Sequence, residues 1–122
     1  MALVTGAGRG TGRCHCERLA DEGADIIALD VPAAGADLEQ TAAAVVQRGG
    51  RVATGLADVS DFTALTAAVD VGVAAMGCLD VVVANAGIHM VGAPTWEISV
   101  ESWQHTLDVN LTGVWATTAD RS

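Results

Sequence analysis

Apolar positions along this chain fall into two alternating patterns. Short, nearly continuous apolar runs at residues 2–4, 24–29, 51–57 and 79–84 predict four strands, the last apolar almost throughout, as a strand covered on both faces should be. Between them lie segments with helical spacing. Residues 13–22 have helix-forming composition and stop at Gly23. Residues 36–47 place Leu38, Ala42, Val45 and Val46 on one face and stop at Gly49-Gly50. Residues 61–76 follow Ser60 as a candidate N-cap and carry Phe62, Leu65, Val69, Val73 and Met76 on one stripe, with Gly77 as the stop. Residues 100–118 predict a last helix with Trp103, Leu107, Leu111 and Trp115 at intervals of four, a stripe expected to be buried.

Strands that alternate with helices imply right-handed crossovers and a parallel sheet. The expected architecture is an α/β, three-layer, Rossmann-like fold with strand order 3-2-1-4, built from residues 1–122 as one globular unit. Its switch point lies between strands 1 and 4, where ligands bind outside the carboxyl ends. Two turns arrive there: Thr5-Gly6-Ala7-Gly8-Arg9-Gly10-Thr11-Gly12 after strand 1 and Asn85-Ala86-Gly87 after strand 4.

The first turn sits between a strand and a helix. Gly6, Gly10 and Gly12 form a G-x-x-x-G-x-G set suited to a sharp exit from the strand, close backbone approach to a pyrophosphate, and tight packing of helix on strand. A helix N-terminus would meet the phosphate charge. Gly8 belongs to the same turn, and position 11 is threonine where the commoner spacing has glycine. A phosphate loop of the G-x-x-x-x-G-K type is excluded, because the chain has no lysine. Asp30 ends the second strand near the spacing expected for a ribose-binding acid, where a carboxylate accepts from both ribose hydroxyls and repels a 2′-phosphate. The plain alternatives are a flexible glycine turn and a loop aspartate that caps the next segment.

Composition narrows the function classes. A hydrophobic content of 51% with only two prolines speaks against disorder, and a formal net charge of −9 without a basic stripe speaks against nucleic acid or anionic lipid as a partner. No apolar stretch reaches the roughly 20 residues of a membrane span, and nothing resembles a secretion signal. Three cysteines cannot all pair with one another, so a cytoplasmic location is expected. Cys14-His15-Cys16 invites a metal reading, but residues two apart on a helix point to nearly opposite sides and no second ligand pair follows; no metal site is expected.

The turn at residues 5–12, Asp58-Val59 after strand 3, Asn85-Ala86-Gly87 after strand 4 and Val109-Asn110-Leu111 on the last helix together resemble the short-chain dehydrogenase/reductase family, over nearly the whole chain. The run Gly12-Arg13, His15, Arg18-Leu19-Ala20, Glu22 to Ala28 and Asp30 is similar, more narrowly, to its carveol-dehydrogenase-like, mycofactocin-associated members. The resemblance implies an NAD-dependent oxidoreductase that transfers hydride between a small alcohol or ketone and the cofactor. It also implies that Gly6, Gly8, Arg9, Gly10, Thr11 and Gly12 hold the pyrophosphate side, and that Asp30 and Val31 lie at the adenosine ribose. Asp58 would bond the adenine amino group and the Val59 backbone would hold the ring. Asn85, Ala86 and Gly87 would line the adenosine and nicotinamide-ribose side, while Asn110 would hold a water in a proton relay. Each has a plainer reading: Asp58 as a cap near Ser60, Asn85-Ala86-Gly87 as a strand-ending turn, Asn110 as a structural amide.

Family members carry a serine, a tyrosine and a lysine after a fifth strand. This chain has no tyrosine and no lysine, and its serines lie in no matching motif, so the resemblance makes it the cofactor-binding half, without strand 5 onward and inactive alone. Other readings are a nucleotide-binding or interaction module without catalysis, and a nonfunctional fragment. NAD is expected over NADP because of Asp30, although an arginine in the turn, here Arg9, often accompanies NADP. Trp103 and Trp115 suit either a core or a subunit interface, and with an unprotected Val81-Val82-Val83 edge they predict a homo-oligomer or self-association. His89 is a candidate for the nicotinamide pocket or an ordinary loop histidine; His105 reads as a solvated helix residue.

Overall fold

The computed structural model describes residues 1–90 and 92–119. Four strands, β1 (Ala2–Thr5), β2 (Ile26–Asp30), β3 (Val52–Leu56) and β4 (Val81–Val83), form one parallel sheet in the order β3-β2-β1-β4. The register places Ala2 opposite both Ile26 and Val81, and Ile26 opposite Val52. Helices α1 (Gly10–Asp21), α2 (Gly35–Gln47), α3 (Phe62–Met76), α4 (Val100–Leu107) and α5 (Gly113–Thr118) accompany it, with a π-helical turn at Asp108–Thr112 joining the last two.

Strand side chains alternate between faces, and here both faces are covered. Ala2, Val4, Ile26 and Ala28 pack with Cys16 and Ala20 of α1 and Leu38 and Val45 of α2. Leu3, Ile27 and Leu29 pack on the other side with Leu65 and Val69 of α3, Val109 of the π turn and Ala116 of α5. The three layers follow from that division. Burial pushes the Cys16 thiol up to about 12, so it stays protonated, whereas Cys14 faces solvent. Among the described residues no cluster of three or more His, Cys, Asp or Glu side chains can hold a metal, and no helix is long and apolar enough to cross a membrane.

Several local expectations need correction. The α3 cap is Asp61, which accepts from the Ala64 N–H at 3.0 Å, and not Ser60. Ser60 instead donates both its N–H and its hydroxyl to Asp58, at 2.9 and 2.7 Å, closing the turn that precedes the helix. On α2 the buried face is Leu38, Thr41 and Val45, while Val46 is exposed, because Thr41 has hydrogen-bond partners that make its burial tolerable. β4 is shorter than residues 79–84 and only partly covered, with Val81 exposed at the sheet edge.

The last helix departs most. Trp103, Leu111 and Trp115 are more than half exposed, and the buried face is Val109, Gly113, Ala116 and Thr117. Two causes act together. The π turn adds a residue, which rotates α5 by about 100° relative to an unbroken helix. Small residues also let α5 approach the loop after β3 closely: a Cβ on Gly113 would lie 2.5 Å from Val59 Cγ2. Trp115 stacks on Phe62 of α3 at the outer rim, ring centroids 5.8 Å apart. Residues 120–122 of the polar tail lie outside the described residues.

Asp25 fastens the start of β2 to that of β3. It accepts from the Arg51 N–H at 3.0 Å and from Arg51 Nε and Nη2 at 3.0 and 2.6 Å, and these bonds hold its carboxyl below the usual value of 3.8. A depressed carboxylate stabilises the fold above its unfolded pKa and loses that contribution as pH falls through the folded value. Asp25→Asn should therefore lower the melting temperature near neutral pH and flatten its decline below about pH 4, as read by thermal denaturation across an acid series.

Candidate functional site

A cleft of about 470 Å³ opens at the carboxyl ends of β1, β2 and β4. Gly6, Arg9, Gly10 and Thr11 form its floor, Asp30 and Val31 one end, Asp58 and Val59 a second side, and Asn85, Ala86 and Gly87 the wall above β4. These eleven residues, separated by up to 81 positions in sequence, meet at the predicted switch point. Gly8, Gly12 and Asn110 lie behind this surface, and each supports it from there.

Gly6 leaves β1 with φ +65°, a left-handed conformation that turns the chain at once into the loop. Gly12 permits the helix to follow: a Cβ there would stand 1.9 Å from the Gly6 carbonyl oxygen. Gly10 has φ +56° and nothing within 4 Å of where a Cβ would be, so bare backbone faces the cleft. Helix α1 begins with no side-chain cap and no acidic residue in its first turn, leaving its terminal N–H groups without a side-chain partner at the cleft floor. An anion suits that end.

Asp30 is held by two backbone donors. Gly8 N–H reaches Oδ2 at 2.8 Å and Val31 N–H reaches Oδ1 at 2.8 Å, which leaves the outer lone pairs of both oxygens to accept further hydrogen bonds. Gly8 is required for this contact, since a Cβ at position 8 would come within 2.8 Å of Oδ2. Asp58 is held in its ionised form by the hydroxyl and N–H of Ser60, which lower its pKa, with a smaller contribution from the charge of His105.

The two loops at the switch point are tied to each other. The Thr5 hydroxyl accepts from the N–H groups of Asn85 and Ala86, each at 3.2 Å, while Asn85 Nδ2 donates to the carbonyls of Thr5 and Gly6 at 3.1 and 3.2 Å. Asn110 sits in the π turn and pairs with the backbone of Ile88 in both directions: Oδ1 accepts from the N–H at 2.8 Å and Nδ2 donates to the carbonyl at 2.6 Å. A π turn inside a helix commonly marks a functional position. Here it carries the asparagine that anchors the loop after β4.

The short chain dehydrogenase family profile matches residues 1–121. The chain belongs to the short-chain dehydrogenase family. It is 44% identical to (−)-trans-carveol dehydrogenase of Rhodococcus erythropolis over 96% of this chain and 46% of that protein. An uncharacterised NAD-dependent oxidoreductase of Mycobacterium tuberculosis is also 44% identical, with the same coverage. Among solved structures, carveol dehydrogenase from Mycobacterium avium in complex with NAD superposes with a TM-score of 0.89 at 45% identity, covering 95% of this chain and 46% of that one. The chain thus spans about half the length of the relatives it matches.

In this member of the short-chain dehydrogenase family the cleft also includes residues to which the sequence assigned no role in a site. His105, read from the sequence as a solvated helix residue, is exposed as expected and also lines the cleft beside Asp58, a position its helical spacing did not signal. Ile88 and Val109 line it as well, and Thr5 was legible only as part of the glycine motif. His89 is exposed and outside the cleft lining.

The loop geometry yields a sharp expectation for Gly12. Its Cβ would collide with backbone that has no room to yield, so Gly12→Ala should cost about 3 kcal/mol or more, at the upper end of overpacking substitutions. Gly35→Ala, at a position with open space, is the matched control. Urea denaturation of the two variants checks the difference.

Proposed function

We propose that residues 1–122 are the cofactor-binding unit of an NAD-dependent oxidoreductase that interconverts small alcohols and ketones. The observation that carries this reading is the convergence, in one cleft, of an uncapped helix N-terminus behind bare glycine backbone with a carboxylate pre-positioned by two N–H donors. Those features suit a dinucleotide residue by residue. Gly10, Thr11 and the α1 N-terminus receive the pyrophosphate, with Gly6, Gly8 and Gly12 giving the loop its shape and Arg9 at its edge. Asp30 accepts from the adenosine ribose hydroxyls next to Val31, Asp58 bonds the adenine amino group, and the Val59 backbone borders the ring. Asn85, Ala86 and Gly87 carry the nicotinamide-ribose side, and Asn110 holds that wall in place. NAD, when bound, supplies the hydride acceptor or donor. The three cysteines are free thiols, which fits a reducing cytoplasm.

Proton transfer is a separate matter. With no tyrosine and no lysine, the chain lacks the pair that its family uses to move the hydroxyl proton, so residues 1–122 by themselves bind cofactor without turnover. A positioned acid-base group contributes roughly 100 to 10,000-fold, and its loss compounds with missing substrate positioning. The second reading, a nucleotide-binding module without catalysis, rests on the same absence. Purified residues 1–122 should give no dehydrogenation of secondary alcohols with NAD. The exposed Val81, Trp103, Leu111 and Trp115 should make the chain associate as concentration rises, which sedimentation measures alongside.

Binding decides the main reading. NADH should bind at least about fivefold more tightly than NADPH, the equivalent of about 1 kcal/mol of charge repulsion between Asp30 and a 2′-phosphate. Asp30→Ala should narrow that gap. Fluorescence titration of both reduced cofactors checks it, and tighter NADPH binding, or none of either, refutes the assignment.

A further inference from the structure

Behind the glycine loop, on the side away from the cleft, lies a polar cluster that neither the motifs nor the cleft explains. Thr41 of α2 is fully buried, and its hydroxyl donates to the Ala7 carbonyl at 2.8 Å in preference to the longer 3.3 Å contact with Asp37 within its own helix. The same oxygen accepts from Arg13 Nε at 3.0 Å. Arg13, in the first turns of α1, directs Nη2 to the carbonyls of Gly8 and, at 3.0 Å, of Asp37. Among the described residues no carboxylate lies within 4.0 Å of its guanidinium, so its donors serve uncharged oxygens, Gln40 Oε1 being the last at 3.4 Å.

The acceptors are what matter. A trans peptide is planar, and its C=O and N–H point in opposite directions. Fixing the Ala7 carbonyl on Thr41 therefore aims the N–H of the same peptide, that of Gly8, the other way, where it meets Asp30 Oδ2 at 2.8 Å. Fixing the Gly8 carbonyl on Arg13 likewise aims the Arg9 N–H away from the α1–α2 seam. We propose that Arg13 and Thr41 are positioning residues that set two successive peptide planes of the glycine loop, and through the Gly8 N–H set the Asp30 carboxylate, so that discrimination between dinucleotides depends on two side chains outside the cleft. The link to discrimination rests on the NAD-binding reading above; the fixing of the loop does not.

Two measurements separate these levels. Amide hydrogen exchange followed by NMR needs no cofactor. In Arg13→Ala and Thr41→Val the Gly8 amide should exchange at least about tenfold faster, while Leu3 and Ile27 in the sheet keep their protection. Thr41→Ser retains the hydroxyl and should exchange as the parent does. NADH and NADPH titration then reads the consequence: the preference for NADH should fall towards parity in Arg13→Ala and Thr41→Val and persist in Thr41→Ser. A merely structural role would weaken both cofactors equally. Unchanged Gly8 protection in both variants overturns the proposal, as does faster exchange with an unchanged cofactor ratio. If the parent chain binds neither cofactor, the NAD reading fails, and exchange at Gly8 alone still decides whether the loop is held this way. Should Arg13→Ala not fold, Thr41→Val against Thr41→Ser decides the question by the same two readouts.

Discussion

The rest of this fold depends on the approach of helix α1 to the end of β1, where Gly12 leaves no space for even a single carbon between itself and the Gly6 carbonyl. It brings the helix N-terminus over the end of β1, so that the helix dipole and its unpaired N–H groups are delivered to the switch point. It also brings Gly12 against Asn85 Nδ2, within 2.8 Å of where its Cβ would be, which lets the amide reach the Thr5 and Gly6 carbonyls. A side chain at position 12 would push the helix outwards and separate the two loops that make the cleft.

Around that contact the cleft is assembled mostly from backbone, and side chains act chiefly by holding backbone in place. Thr5 receives two N–H groups of the loop after β4, Asn110 pairs with Ile88 on both of its polar atoms, and Thr41 and Arg13 take the loop carbonyls. Such a site is preorganised, because its peptide planes cannot rotate to suit another ligand without breaking these hydrogen bonds, of which the one from Thr41 to Ala7 is buried. Asp30 shows the same logic in a charged group. Two N–H donors fix its carboxylate in advance, which reduces the ordering that any hydrogen-bonding ligand would otherwise require of it.

The outward face of the last helix is of another kind. Helix α4, the π turn and α5 present Trp103, Leu111 and Trp115 outward in turn, while Ala116 of α5 packs into the core beside the sheet and Gly113 seats on Val59. The π turn between them reconciles two demands. It keeps Asn110 directed at the loop after β4 and lets α5 lie close to the loop after β3, which a continuous α-helical phase would not serve together.

Local pattern was enough to determine the alternation of strands and helices, the parallel order of the sheet, and the meeting of the glycine turn with Asp30 and Asn85. Those features depend on short-range periodicity, on glycine's steric freedom, and on the handedness of crossovers, all of which are properties of neighbouring residues. Tertiary structure decided the rest. Asp61 and not Ser60 caps α3 because Asp58 engages Ser60 first; Thr41 and not Val46 is buried because loop carbonyls 33 and 34 positions away receive its hydroxyl. Trp115 at the end of the aromatic stripe faces outward because an inserted π residue and the close seat of Gly113 on Val59 set the phase of α5. Likewise His105 joins the cleft only through the packing that brings its helix beside Asp58. Periodicity shows that a face exists, and long-range contacts choose which face is covered.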